Sequence, residues 1–362
     1  MTDALPVLAE AAPQMTFDRA PLLVYWELTR ACDLACRHCR AEAIRARHPQ
    51  ELTTAEVEAV LDDARRFGDP LPHLVFTGGD PLQRPDLLTL VRAARARGFR
   101  VSVAPSGTTR LDASAVADLA AAGVESMSVS LDGSAAARHD AFRGVPGCFE
   151  TTVRAARWIR EAGLGLQVNT LVTDETAADL PAIFRLVSEL GAARWSLFFL
   201  VPVGRGRLLR EVSADDAERL CHWLVDLAAT TRCALATTEA PHYRRVAYRR
   251  MRAAGLTDPE ILRTPVGRGF GVRDGNGIVF ISHTGDVFPS GFLSLPAGSV
   301  RRHSLVDLYR HADLFVRLRD PSRLLGRCGR CPFRLLCGGS RARAWARTGN
   351  PLASDPLCPY RP

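Results

Sequence analysis

The chain has 362 residues, 47% of them apolar and 24% charged, and a formal net charge of +8. This length suits one large domain or two of ordinary size, and the balance of residues is that of a globular protein, not of a disordered or collagen-like chain. No apolar run approaches the length of a membrane span, the N-terminus lacks a basic segment followed by an apolar core, and four residues follow Cys358, so there is no prenylation box.

In chain order, residues 1–20 read as an irregular lead-in. From there to about 201, short apolar runs alternate with amphipathic segments. The runs cover 22–28, 73–79, 100–107, 126–133, 166–173 and 195–202. Helix-like segments lie at 54–67, 85–97, 112–122, 149–162 and 179–190, and Gly98, Gly123 and Gly163 mark helix ends. Apolar runs alternating with helices predict a parallel sheet with helical crossovers. Six such units fall short of the eight of a closed barrel, so the expected fold is α/β, a partial (β/α)6 barrel with an open side. A helix over 213–230 with Ser213 as N-cap follows. Residues 232–276 look Arg-rich and irregular, 278–288 read as a hairpin around His283-Thr284-Gly285-Asp286, and 304–318 form a helix that Ser304 could cap. The domain boundary is expected near 235, dividing a core over 21–235 from a small Cys-rich domain over 236–362.

All 47 basic residues are Arg, and the chain has ten Cys. Planar guanidinium forks suit carboxylates and phosphates. The aromatic-plus-basic patterns of RNA-binding modules are missing, so no nucleic-acid partner is expected. The Cys gather at 32–39 and 328–358, which reads as metal sites in a reducing cytoplasm. Cys148, Cys221 and Cys233 have no partner at ligand spacing and read as small buried hydrophobes.

Cys32, Cys36 and Cys39 stand on one short segment, with three residues and then two between them. Three thiols can hold three irons of a cubane and leave the fourth open, although such clusters usually have four Cys. A zinc site that includes His38 is the other reading of these residues. The remaining candidates follow strand ends, where open α/β folds bind ligands. Gly78 and Gly79 allow close backbone approach, and Asp80 offers an acceptor for an ammonium, though the segment also reads as a turn. Ser106 follows the third strand. Ser130 and Asp132 end the fourth and suit a ribose or amine. Arg143 could pair with a carboxylate, Asn169 sits in the fifth strand, and Val201 closes the sixth. His242, Tyr243 and Arg244 could hold an acidic substrate or belong to a solvated helix face.

Taken together, the triplet after strand one, Thr77-Gly78-Gly79-Asp80-Pro81 after strand two, Ser130-Leu131-Asp132-Gly133 after strand four and Arg143-Gly144 beyond it resemble the radical S-adenosylmethionine (SAM) superfamily over residues 22–206. The resemblance implies that Cys32, Cys36 and Cys39 ligate a [4Fe–4S] cluster whose open iron chelates the amine and carboxylate of SAM. The GGDP segment would contact the amine, with Ser106, Ser130, Asp132, Arg143, Asn169 and Val201 around the cofactor. One electron, from a donor such as flavodoxin or ferredoxin, would then cleave SAM to methionine and a 5′-deoxyadenosyl radical that abstracts hydrogen. The family often has an aromatic residue before the third Cys; here it is His38, whose imidazole can still cover the adenine.

Four more thiols lie in Cys328-x2-Cys331-x5-Cys337 and Cys358. By spacing they could form a zinc ribbon. Beside a radical SAM core they resemble the SPASM extension, whose fuller pattern has seven Cys and two auxiliary clusters. Two of the positions outside this set read Ser290 and Arg341 here. The resemblance therefore implies one auxiliary [4Fe–4S] cluster, closed by four Cys and suited to accepting or relaying electrons. The segment over 281–301 resembles enzymes of the alternative haem and haem d1 pathways, which implies a carboxylate-bearing tetrapyrrole as substrate and oxidation or decarboxylation of its propionate, and the Arg-rich stretch over 244–250 could pair with its carboxylates. Maturation of a ribosomal peptide of the mycofactocin or sactipeptide type is the alternative, together with decarboxylation of a sugar or nucleoside carboxylate. Such maturases often carry an N-terminal peptide-recognition domain, which the roughly twenty residues before strand one lead us not to expect here. A non-enzymatic iron–sulfur scaffold would leave the SAM-contact segments without a purpose.

Overall fold

A computed structural model describes residues 16–362; most of the expected lead-in lies outside the described residues. Seven strands form the first part of the sheet: β1 Leu23–Thr29, β2 His73–Gly78, β3 Val101–Val103, β4 Ser126–Ser130, β5 Gly165–Val172, β6 Arg194–Phe199 and β7 Ala234–Thr238. They are parallel and lie side by side in chain order. The crossovers carry α1 Thr54–Ala64, α2 Leu87–Ala96, α3 Ala113–Ala121, α4 Ala136–Arg143, α5 Cys148–Glu161, α6 Leu180–Glu189 and α7 Ala214–Ala228. Side chains alternate between the faces of a strand. On one face Val24, Trp26, Phe76, Val103, Met127 and Trp195 are buried in the main apolar core with the helices. The other face is polar and partly open. His73 bonds Ser102 at 2.6 Å and Ser102 bonds Ser126 at 2.6 Å, and Gln167 and Asn169 continue the row on β5. A parallel sheet is normally covered on both faces, so a polar second face marks the lining of a ligand site.

Local chemistry explains the helix starts. Thr53 and Glu56 form a capping box at α1, Asp112 caps α3, and Ser213 caps α7 as expected. The segment expected to be irregular over 232–276 instead contains β7, α8 His242–Ala253 and α9 Asp258–Arg263. Its arginines mask a helical stripe in which Tyr243, Val246 and Ala247 are buried.

The chain then returns to the first strand. After β8 Arg273–Asp274, β9 Gly277–Ile281 pairs in parallel with β1, on the side opposite β2. β10 Asp286–Phe288 completes the expected hairpin, with Val287 opposite Ile281, and β11 Gly298–Ser299 is the far edge. The sheet thus runs from β11 through β9, β1 and β6 to β7 and stays open at both edges. Helices α10 Leu305–His311, α11 Asp313–Arg319, α12 Gly326–Arg330 and α13 Arg341–Thr348 complete the fold, and Ser304 caps α10. On α13 the fully buried Arg343 reaches back to the sheet. Its guanidinium donates to the carbonyls of Phe199 and Leu200 and to Glu211. Its hydrogen bonds tie the Cys-rich tail to the end of β6. Among the described residues no helix is long and apolar enough to cross a membrane.

Candidate active site

The segment after β1 carries the Cys triplet, and the backbone shapes it. The N–H of Cys32 bonds the carbonyl of Ile44 at 2.9 Å and the N–H of Ile44 bonds that of Arg30 at 3.0 Å, closing the segment into an arc. Two other strand ends brace the arc. Ala35 N–H donates to Arg143 O and Arg37 N–H to Phe142 O, both at the end of α4, while Arg205 N–H beyond β6 donates to Cys39 O at 3.1 Å.

Each thiol of the triplet has a donor at hand. Leu34 N–H lies 3.4 Å from Cys32 Sγ, Arg143 Nη1 lies 3.6 Å from Cys36 Sγ, and Ala43 N–H lies 3.3 Å from Cys39 Sγ, while Ser106 Oγ stands 3.4 Å from Cys32 Sγ. Donors aimed at sulfur favour the thiolate and tune whatever metal it binds. Burial pushes the Cys32 thiol up to about 11 against those donors, so a metal bound there would have to displace its proton. Cys148 packs in the same apolar cluster as Cys32 and Cys36, a neighbour its place in the sequence does not reveal. Its thiol donates to Gly107 O at 3.3 Å, and burial pushes it up to about 11.

Gly78 and Gly79 are needed because β2 presses on the arc. A Cβ at Gly78 (φ +158) would stand 2.4 Å from Thr29 O, and one at Gly79 would stand 2.5 Å from Ala31 O and 2.6 Å from Arg30 O. All of these atoms are backbone, so the arc itself would have to shift. Gly79→Ala is expected to lower stability by about 1–3 kcal/mol and to reduce bound iron, measured by urea denaturation and iron assay. Unchanged iron in a destabilised variant would separate packing from ligation.

Asp80 sits differently from its expected ammonium contact. It is fully buried, and its carboxylate accepts from Leu82 N–H, Ser106 N–H and Thr108 Oγ1 at 3.0–3.3 Å. Burial pushes it up to about 6 against those donors. Asp80 thus ties the β2 end to the β3 end. Ser106 completes the tie, donating to Gly79 O at 2.8 Å.

Asp132 and Arg143 form a buried pair at 2.5 Å, and Leu171 N–H donates to Asp132 at 2.7 Å. Burial alone would raise the Asp132 carboxyl; Arg143, the larger of the opposing charges, holds it below its usual range. Arg143 therefore links the end of β4 to Cys36. Ser130 and Asn169 stand opposite one another on β4 and β5, half-buried on the open face. Val201 is 2% exposed and packs with Val203, Leu293 and Ala342.

His38 stacks on Phe142 with ring centroids 5.0 Å apart. Burial, then the charge of Arg143, holds the imidazole down at about 4, so it is neutral. Its Nδ1, the Nε and Nη2 of Arg205 and the Nε of Arg143 are buried with no hydrogen-bond partner among the described residues. Arg205, in the Gly204-Arg205-Gly206 segment after β6, carries no spacing or motif that would single it out in the sequence. Glu27, Arg40 and His283 form a further cluster at the β1–β9 seam. Glu27 accepts from Arg40 at 3.0 Å and bonds His283 at 2.8 Å, and Arg40 lies 4.6 Å over the Phe280 ring. A glutamate inside an apolar strand run was its sequence signal.

The three residues expected to touch an acidic substrate are packed away. His242 is 0% and Tyr243 5% exposed, and Arg244 donates to Val272 O. Burial holds His242 neutral, down at about 4, against about 6.5 in an unfolded chain. A depressed His contributes stability that is complete above the unfolded value and lost as pH falls toward the folded one. The loss is worth about 3 kcal/mol. His242→Phe, beside Phe199, is expected to flatten the fall in unfolding free energy between about pH 6.5 and 4. An unchanged slope would assign that fall to other groups.

The four C-terminal thiols share one locale. Cys337 lies within electrostatic reach of Cys358 and Cys328, and Cys331 of Cys328. Each accepts a backbone N–H: Cys328 from Asp355 at 3.4 Å, Cys331 from Phe333, Cys337 from Gly339 and Cys358 from Tyr360. The last three repeat the two-residue step from Cys32 to Leu34. Burial pushes the Cys337 thiol well up and that of Cys358 up to about 11. Arg341 is fully buried and donates to Cys328 Sγ at 3.7 Å and to the carbonyls of Pro351 and Ala353. Ser290 Oγ accepts from the N–H groups of Phe292 and Leu293. Both positions are filled by hydrogen-bonded side chains.

A three-thiol arc at the end of β1, pressed by a Gly-Gly turn and flanked by partnerless cationic and imidazole nitrogens, fits a cluster with one open iron and a carboxylate-bearing cofactor on it. This is the site of a radical SAM enzyme. The Radical SAM superfamily model matches residues 26–187, and the chain belongs to that superfamily, whose members use a [4Fe–4S] cluster, SAM and a reductant. Among curated proteins it is 40% identical to an AdoMet-dependent heme synthase of Oleidesulfovibrio alaskensis, over 97% of this chain and 90% of that one. It is 39% identical to an AdoMet-dependent heme synthase of Methanosarcina barkeri, over 95% and 97%. Mycofactocin maturase MftC of Mycobacterium tuberculosis is 30% identical over 99% and 87%. Among solved structures, Streptococcus suis SuiB bound to its precursor peptide superposes with a TM-score of 0.72 over 98% of this chain and 79% of that one, at 18% identity. That likeness shows a shared fold.

Proposed function

We propose that the chain cleaves SAM reductively and uses the product to oxidise, with loss of carbon dioxide, a propionate side chain of a haem-type tetrapyrrole. The observation that supports this most is the 39–40% identity to haem synthases along nearly the whole chain, against 30% to a peptide maturase. Cys32, Cys36 and Cys39 hold the SAM-binding cluster. The 78–80 backbone, Ser130 and Asn169 border the cofactor, and Asp80, Ser106, Asp132, Arg143 and Val201 fix the strand ends around it. Bound there, cluster and SAM supply a 5′-deoxyadenosyl radical. The open polar face of the sheet accommodates a large planar substrate beside them, and Arg40 over Phe280 offers a flat cationic edge for a carboxylate.

Removing a propionate carboxyl as carbon dioxide releases two electrons; hydrogen abstraction takes one. Cys328, Cys331, Cys337 and Cys358, in a SPASM-like domain over about 236–362, would hold one auxiliary [4Fe–4S] cluster that accepts the other. Ten free thiols, most of them in two close-set groups, suit the reducing cytoplasm, where we place the enzyme. The test is anaerobic 5′-deoxyadenosine formation with dithionite and SAM, with and without iron coproporphyrin III, the compound in the name of one relative. Stimulation by the tetrapyrrole supports the proposal; stimulation only by a short precursor peptide would favour the maturase reading.

A further inference from the structure

The chain's positive charge is not spread along it. Eight of the 47 basic residues and one of the 39 acidic residues fall within 321–362, so this segment holds +7 of the net +8. The same segment carries the four C-terminal thiols. Its one acid, Asp355, is buried and turned inward to Ser340 N–H and Arg343.

Of the eight arginines, Arg341 and Arg343 are buried, Arg323 pairs with Asp320 and Arg347 with Glu211. Arg327 bonds the carbonyl of Cys358 at 3.2 Å. Arg330, Arg334 and Arg361 are exposed and form no ion pair among the described residues. All three lie at the thiols. Arg330 precedes Cys331, the charge of Arg334 is felt at Cys331, and Arg361 follows Tyr360, which packs on Phe333 at 5.4 Å. Cys328, Cys331 and Cys358 are themselves only partly buried, unlike Cys32 and Cys36 in the core. Glu218, which acts on Cys358 from α7, is engaged by Arg245.

We propose that the face formed by Arg330, Arg334 and Arg361 docks an acidic electron-carrier protein against the C-terminal thiols. The proposal rests on reading those thiols as a redox site. A concentrated cationic face steers an anionic partner and fixes its orientation more than it adds raw affinity, which suits a carrier that must arrive, exchange one electron and leave. The electron lost by the reduced site is the one gained by the oxidised carrier, with no atom transferred. A single-stranded nucleic acid would answer to the same charge. The face lacks an exposed aromatic platform, since Phe333 is buried and Tyr360 packs against it, and such platforms are how bases are stacked.

The test uses the anaerobically reconstituted full chain with an acidic [2Fe–2S] ferredoxin and, separately, a flavodoxin, and reads association rates at low and high salt. Reversing the face with Arg330→Glu, Arg334→Glu and Arg361→Glu is expected to slow association about 100-fold at low salt. Reversing three exposed arginines on the helical side, Arg92→Glu, Arg157→Glu and Arg185→Glu, gives the same net charge and is expected to change it less than about threefold. Equal losses in both triple variants, or no loss in the first, would overturn the proposal. So would tighter binding of a single-stranded RNA oligomer than of either carrier. Iron content of the same preparations reads the underlying assignment separately. Only half the expected iron, with the charge-reversal effect intact, would overturn the redox reading and leave the docking face standing.

Discussion

Serine at Cys32, Cys36 or Cys39 is expected to lower 5′-deoxyadenosine formation by more than about a thousandfold. Loss of an outer partner of a metal site costs about 10–100-fold, and these are the proposed ligands themselves. The fold should survive. The arc is held by backbone bonds from Arg30, Ile44, Phe142, Arg143 and Arg205 that no thiol takes part in, and burying one hydroxyl costs about 1–3 kcal/mol. The nucleoside product by chromatography, iron by colorimetric assay and the thermal midpoint by circular dichroism would be measured together. A serine variant that keeps its iron and cleaves SAM normally would contradict the assignment.

Cys358→Ala should have the second largest effect, and a different one. SAM cleavage without substrate should persist within about threefold, because Cys358 belongs to the Cys-rich tail and touches none of the groups around the triplet. Tetrapyrrole turnover should fall by more than about a hundredfold, and iron should drop from about eight to about four per chain. The Arg327 contact to Cys358 is through the carbonyl, so alanine leaves it in place. Four irons in the unaltered chain would remove the auxiliary cluster, and twelve would add one where Ser290 and Arg341 are already hydrogen-bonded.

What the sequence disclosed and what it hid follow from locality. The six core strands, the triplet and the Gly-Gly turn were legible because each is a short pattern with its own physical signature: an apolar run, a ligand spacing, a residue without a Cβ. Pairing between distant segments was not. That β9 lies against β1, and so brings His283 to Glu27, depends on a contact across more than 250 residues. β7, built from Ala-Leu-Ala-Thr-Thr, is too short and too weakly β-forming to announce itself. His242 and Tyr243 looked like ligands because polar side chains beside an open barrel suggest one; their neighbours on the same helical stripe, Val246 and Ala247, pull them inward instead. Asp80 was read as a ligand contact for the same reason, whereas three internal donors claim its carboxylate.

The interlocking of the strand ends carries the functional account. Cys36 is linked through Arg143 to Asp132, Cys32 through Ser106 to Gly79, and Cys39 through the Arg205 amide to the turn after β6. The triplet is thereby fixed relative to the open face proposed to hold the substrate, and hydrogen abstraction requires the reacting atoms to be held about 3–3.5 Å apart.

Deuterium transfer tests the central claim most directly. With iron coproporphyrin III labelled at its propionate carbons, SAM and dithionite, the account predicts deuterium in 5′-deoxyadenosine in step with release of carbon dioxide from the tetrapyrrole. Unlabelled 5′-deoxyadenosine with the propionates intact would contradict it.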